Sequence, residues 1–241
     1  MACCLLVFSV GTSAARPTYR IHYTLVNTSK PKLPRRIILL PVSIEVSERS
    51  YGGVTEPVDA WSRQASRNIF RSLRRFTKRT RRTKLVKTPN FTRSEQARIS
   101  EHIALYRQVV NTASAKTNNG QFTWKHKLKK FDYTIGPGLN FLRAKTSADT
   151  ALFVYGEDIV STGGRKAKAT VSAIFGGATR FGYSYIHVGL VDLRTGNLLW
   201  SNKAYKSGAS DLRKPTGAEK LVKEVFKDYP GIAKYRKAYV K

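Results

Sequence analysis

Side chains able to do acid–base, nucleophilic or metal chemistry are few in this sequence, and their spacing is poor. The four histidines are His22, His102, His126 and His187. None pairs with another at metal-ligand spacing, and no H-E-x-x-H occurs. His187 lies in an alternating pattern and is expected to be a half-exposed strand residue. His126 sits among lysines, whose charge opposes both its protonation and cation binding. Glu157 and Asp158 could form a carboxylate pair at a strand end. Neighbours on a strand point to opposite faces, however, so the pair is read as a solvated loop entrance. The only cysteines are Cys3 and Cys4, which leaves the body without a thiol nucleophile, disulfide or thiolate cluster. The glycine pairs in "SYGGVTEP" and "STGGRKAK" lack phosphate-loop spacing, although the second sets amides beside basic side chains where an anion could sit. No catalytic residue, metal site or cofactor is expected.

The dominant chemistry is positive charge. Lys and Arg number 44 against 15 Asp and Glu, a formal charge of +29. Such an excess predicts attraction to polyanions and does not set the fold. It concentrates between 60 and 130, where Glu95 and Glu101 are the only acids, and the run Arg71 to Lys87 has none. Within it, Arg63, Arg67, Arg71, Arg74 and Lys78 recur at three and four residues. Trp61, Ala65, Ile69, Leu73 and Phe76 make an apolar stripe at the same period. The pattern predicts a basic amphipathic helix over 57–78. The candidate anion- or partner-binding surface is Arg63, Arg67, Arg71, Arg74, Arg75, Lys78, Arg79, Arg81 and Arg82, the last residues forming an exposed turn. Zinc-finger spacing, an aromatic RNA-binding strand motif and a helix-turn-helix are all missing. Phe76, Phe91, Trp124, Phe131 and Tyr133 interleave the basic region as a single-strand binder requires, and serve equally well as core anchors.

The elements that position these residues follow from periodicity and turn signals. A strand is possible at Tyr19–Val26. "IILLPVSIEV" (37–46) predicts a central strand, with Pro41 marking a bulge or a change of neighbour. A short strand at 83–88 follows the basic helix. Thr92 and Glu95 have capping-box spacing and open a second helix, expected to run to about Val110 and to be followed by a polar loop over 111–120. A short helix should follow Pro137, and 148–159 should be a buried strand. Residues 166–178 fit either a small-residue helix on the sheet or an excursion toward a membrane. "YSYIHVGLVDL" and "LLWSNKAY" flank "RTGN", a hairpin whose turn needs Gly196 in the left-handed region. A closing helix is expected from Thr216. Together these predict an α/β protein: a single two-layer α/β sandwich, with helices on a mixed sheet that ends in an antiparallel hairpin.

Residues 1–15 are expected to be a signal peptide, cleaved near Ala14 or Ala15, or else a short apolar strand or frayed terminus. No Lys or Arg precedes the apolar run, as if the true start lay upstream. Residues 16–35 are expected to be a linker or short strand, 36–229 a single domain and 230–241 a basic tail. No later run reaches the length of a spanning helix.

"RIILLPVSIEV", "SADTALFVYGEDI", "VGLVDLRTGNLLWSNKAY" and the helix after them carry a resemblance. Together they resemble a group of bacterial envelope proteins: the curli-secretion lipoprotein, the penicillin-binding-protein activator lipoproteins and the amino-terminal domain of the Tol-Pal translocation protein. The shared features are Ala148-Asp149 entering a strand that reaches Gly156, and the hairpin residues Asp192, Thr195, Gly196 and Trp200. "SYGGVTEPVDAW" and "FDYTIGPG" bring the chain nearer still to uncharacterised proteobacterial envelope proteins. The lipidation cysteine is lacking after the apolar run. The resemblance implies a non-enzymatic module of the periplasm or outer-membrane periphery, binding envelope protein partners or an anionic lipid or lipopolysaccharide surface, in a secretion or envelope assembly. Homo-oligomerisation is compatible with it. The alternative reading is a basic nucleic-acid-binding protein, and the third an enzyme of unknown type.

Overall fold

The apolar run at 37–46 forms two strands rather than one: β2 (Arg36–Leu39) and β3 (Ser43–Arg49). Both lie parallel to the same edge of the long strand β6 (Thr150–Ser161). Leu39 pairs with Leu152 and Ser43 with Tyr155, so the β2–β3 side carries one extra residue, around Pro41. Proline has no N–H for a ladder and is tolerated at such a bulge. The neighbour changes there too, since β2 pairs outward with β5 (Lys84–Leu85) and β3 with β4 (Thr55–Pro57). The computed structural model describes residues 20–22, 25, 34–79, 83–117, 123–127, 130–161, 163, 182–208 and 210–229. The expected leader, the stretch 166–178, the tail 230–241, Arg81 and Arg82 lie outside them.

On its other side β6 pairs antiparallel with β7 (Tyr183–Asp192), and β7 with β8 (Leu198–Ser207). The hairpin turn has Gly196 at φ 75°, as its sequence requires. Asp192 Oδ1 accepts the backbone N–H groups of Arg194 and Thr195 at 2.7 and 2.8 Å, which fixes the bend. Among the described residues of the expected 19–26 segment, Arg20–Ile21 (β1) forms a strand, and it pairs antiparallel with β8 at the sheet edge. Among the described residues the result is an eight-stranded mixed sheet in the order β1-β8-β7-β6-β2-β5, with β3 continuing beside β6 and β4 paired to β3.

Helices pack on the mixed sheet as expected of an α/β sandwich, and they do so on both faces, one layer more than the two expected. On one face, α1 (Asp59–Arg79) and α4 (Pro215–Phe226) bury Ile69, Leu73, Leu221 and Val225 against Leu152, Val154, Ile186 and Trp200. On the other, α2 (Arg93–Thr117) and α3 (Phe141–Thr146) bury Ile99, Tyr106, Val110 and Leu142 against Ile38, Phe153 and Val191. α2 opens with a reciprocal capping box: Thr92 N–H donates to Glu95 Oε2 at 2.7 Å, and Glu95 N–H to Thr92 Oγ1 at 3.3 Å. It runs seven residues beyond Val110, into the expected loop, because Ala113 continues the buried row of Tyr106 and Val110. Asn111 adds a tie by accepting the Tyr155 hydroxyl at 2.9 Å.

Candidate anion- and partner-binding surface

α1 forms because its apolar residues fall on one face and Asp59 places negative charge in its first turn. Its orientation is set by two serines. Ser66 Oγ accepts the Ile44 N–H at 3.1 Å, and Ser62 Oγ accepts the Val46 N–H at 2.9 Å. These β3 groups point away from β6 and would otherwise be unpaired at the sheet edge. Asn68, buried, donates to the carbonyls of Leu212 and Arg213 at 3.1 and 2.8 Å, tying the helix to the loop before α4. Arg213 lies over the Trp61 ring at 4.1 Å while paired with Asp211 at 2.8 Å.

With that face buried, Arg63, Arg67, Arg71, Arg74, Arg75 and Lys78 are all exposed. Their contacts are slight. Arg67 donates to Gln64 Oε1 at 2.8 Å and Arg75 to Ser72 Oγ at 3.3 Å, while Arg75 and Glu219 form a loose 3.9 Å pair. Arg63, Arg71 and Lys78 make no ion pair among the described residues. Arg79 ends the helix.

The C-terminal half of α1 and the segment after it enclose a groove of about 840 Å³ at the β5 edge of the sheet. Leu39, Phe70, Leu85 and Val86 supply apolar walls, Arg74, Lys78, Lys84 and Lys87 the charge, and Thr77, Thr83 and Thr88 hydroxyls. No acid lines it among the described residues. Phe70 is 37% exposed there, with Arg74 5.9 Å above its ring. Phe70, Lys84 and Lys87 were not among the surface residues the sequence singled out, although both lysines belong to the basic run 71–87. Phe70 stands four residues before Arg74, off the buried stripe, which was the available signal.

The remaining candidates resolve into structure. Glu157 and Asp158 face opposite sides of the sheet: Glu157 accepts the Tyr183 hydroxyl at 3.1 Å, and Asp158 Oδ2 accepts the Leu212 N–H at 2.7 Å. Asp158 is buried rather than at a solvated entrance, and burial raises its carboxyl to about 6. Ser184 Oγ lies 2.6 Å from Asp158 Oδ1 and also contacts the Ser210 carbonyl. One hydroxyl proton serves a single acceptor, so a proton on Asp158 completes the chain. His187 is 4% exposed, not half-exposed, because α2 lays Tyr106 over it. Its Nδ1 is 3.1 Å from the Tyr106 hydroxyl and its Nε2 3.4 Å from Ser201 Oγ. Burial, with Lys203 adding to it, lowers its pKa to about 3, so the imidazole is neutral. His126 stacks on the exposed Trp124, and His102 Nδ1 donates to the Arg98 carbonyl at 2.8 Å. Of "STGGRKAK", only Ser161 and Gly163 are described. Among the described residues, no group of three or more His, Cys, Asp or Glu could hold a metal, and no helix is long and apolar enough to cross a membrane.

No protein-family model and no curated protein matches this chain. Solved structures do resemble it. The PelC dodecamer from Paraburkholderia phytofirmans is 14% identical, with 88% of this chain and 96% of that one aligned at TM-score 0.36. Lipoprotein GNA1162 from Neisseria meningitidis is 13% identical over 81% and 96%, at TM-score 0.32. The LpoB C-terminal domain from Salmonella enterica is 13% identical over 71% and 82%, at TM-score 0.25.

Proposed function

We propose that this chain is an exported, non-catalytic module that holds to an anionic surface of the cell envelope through the outer face of α1, presenting its fold to envelope protein partners. The observation that carries the reading is the row Arg63, Arg67, Arg71, Arg74, Arg75 and Lys78, exposed together on a helix whose opposite face is fixed in the core. Each Lys or Arg held near an anionic leaflet contributes about 1 kcal/mol, so the attraction is collective. Arg79, Arg81 and Arg82 extend the charge along the chain.

The test is co-sedimentation with vesicles containing phosphatidylglycerol, at 0.1 M and 1 M salt, where the screening length falls from about 10 to about 3 Å. Binding at low salt, loss at high salt and loss in the triple variant R63E/R67E/R71E are the expected results. Sedimentation indifferent to salt or to the variant overturns the reading. A fusion of residues 1–20 to a reporter active only after export tests the compartment.

Nucleic acid is the second reading. It is favoured by Trp124, 39% exposed and stacked on His126 with Lys116 5.7 Å from its ring. An inert export reporter, together with Trp124→Ala weakening binding to single-stranded DNA, would promote it above the envelope reading.

A further inference from the structure

We infer that the groove beside β5 takes an extended acidic segment of a partner polypeptide, which pairs with the open edge of the sheet as an additional strand. The backbone carries this. In the parallel β2–β5 pair, Lys84 N–H donates to the Arg35 carbonyl at 2.7 Å and Val86 N–H to the Ile37 carbonyl at 2.9 Å. Leu85 lies between them, so its N–H and C=O point away from β2, out of the sheet. The contrast with β3 is direct. There the outward N–H groups of Ile44 and Val46 are closed by Ser66 and Ser62, and the Val46 carbonyl accepts the Val58 N–H at 2.8 Å. Among the described residues no corresponding group closes Leu85.

α1 nevertheless overhangs this edge. Phe70, Arg74 and Lys78, one turn apart along the helix, line the groove opposite Leu85 and Lys87, with Leu39 beneath. A strand laid against Leu85 would send alternate side chains into that space. An apolar side chain there covers Phe70 and Leu39. A carboxylate meets Arg74, Lys78 or Lys87, none of which has a paired acid within the groove. The ligand must be anionic, and it must both accept from the Leu85 N–H and donate to its carbonyl. A phosphodiester supplies acceptors without the donor, and lipid headgroup hydroxyls are not held at strand spacing; a peptide backbone supplies both at the spacing of a ladder. A second copy of this chain, at +29, and its own tail "IAKYRKAYVK" are repelled by the same four cations.

Arg74 and Lys78 are shared with the face proposed above, and to that extent the inference rests on that reading. The edge of β5 separates the two. The probe is a fluorescein-labelled octapeptide of alternating Val and Asp, followed by anisotropy with the full chain at 0.1 M salt. Salt-sensitive binding is expected. Methylating the backbone nitrogens of alternate residues, in the frame that faces β5, should weaken it about tenfold through loss of donors, with the protein unaltered. Leu85→Pro removes the outward N–H and leaves the Lys84 and Val86 bonds to β2 in place, so it should weaken the peptide to a similar degree. The same variant should sediment with anionic vesicles as the wild type does. R63E/R67E/R71E, none of which lines the groove, should lose the vesicles while weakening the peptide less than Leu85→Pro does.

Peptide binding that withstands both N-methylation frames overturns the inference, as does failure of the peptide to bind while vesicles bind salt-sensitively. Stronger competition by lysophosphatidylglycerol monomers or oligo-dT than by unlabelled peptide also overturns it, in favour of a lipid or nucleic-acid occupant. Peptide binding without vesicle binding leaves it standing and removes the membrane reading alone.

Discussion

Replacing Asp158 by Asn tests whether a buried carboxyl holds the loop before α4 in its neutral form. Asp158 is fixed between Ser184 and the Leu212 N–H, and burial moves it from 3.8 to about 6. That difference corresponds to about 3 kcal/mol between the protonated and ionised forms. Because the folded-state value is raised, the stabilisation is complete below about pH 4 and is lost as pH rises through about 6. Asn reproduces the protonated acid: its amide donates to Ser184, its oxygen accepts from Leu212, and it carries no charge to bury. Over pH 4.5 to 7.5 the wild type should therefore lose about 2 kcal/mol relative to the variant. Urea unfolding of both proteins at several pH values measures the difference directly. The comparison is essential because buried His187 has the opposite slope, losing stability as pH falls from 6.5 toward about 3. A difference between the two proteins that stays flat from pH 4.5 to 7.5 would refute the neutral-carboxyl assignment.

Three further outcomes are expected. In Gly189→Ala the new Cβ would stand 2.2 Å from the Tyr106 hydroxyl, and Tyr106 is fully buried and stacked on Phe153 at 4.6 Å. Overpacking there should cost about 1–3 kcal/mol, read as a lower urea midpoint at unchanged slope. Thr92→Ala removes one half of the capping box and should cost about 1 kcal/mol, read in the same way, with local loss of amide protection at the start of α2. The His187 imidazole should show no titration by NMR from pH 7 down to pH 5.

Local chemistry was the legible part of this chain. Gly196 declared its turn, Thr92 and Glu95 their cap, and the period of Trp61, Ala65, Ile69 and Leu73 the buried side of α1 with the basic face opposite. Each depends on neighbours within a few residues. What failed to show depends on contacts distant in sequence. α2 outruns its expected end because Ala113 meets the sheet, and His187 is buried because Tyr106 arrives from 81 positions away. The groove was hidden for the same reason. Phe70 and Lys87 mean little until α1 and the β5 segment are set side by side, and Leu85 is an edge residue only by the order of strands.

The paired serines on α1 have a mechanical consequence. Rolling the helix by even part of a turn would strip the Ile44 and Val46 amides of their partners and leave two donors stranded. Helix and sheet are therefore keyed like a shaft in a slot, and the guanidinium row is held at a fixed bearing to the domain. Whatever docks on that row takes hold of the whole body, so a contact made by flexible side chains sets the heading of everything behind it.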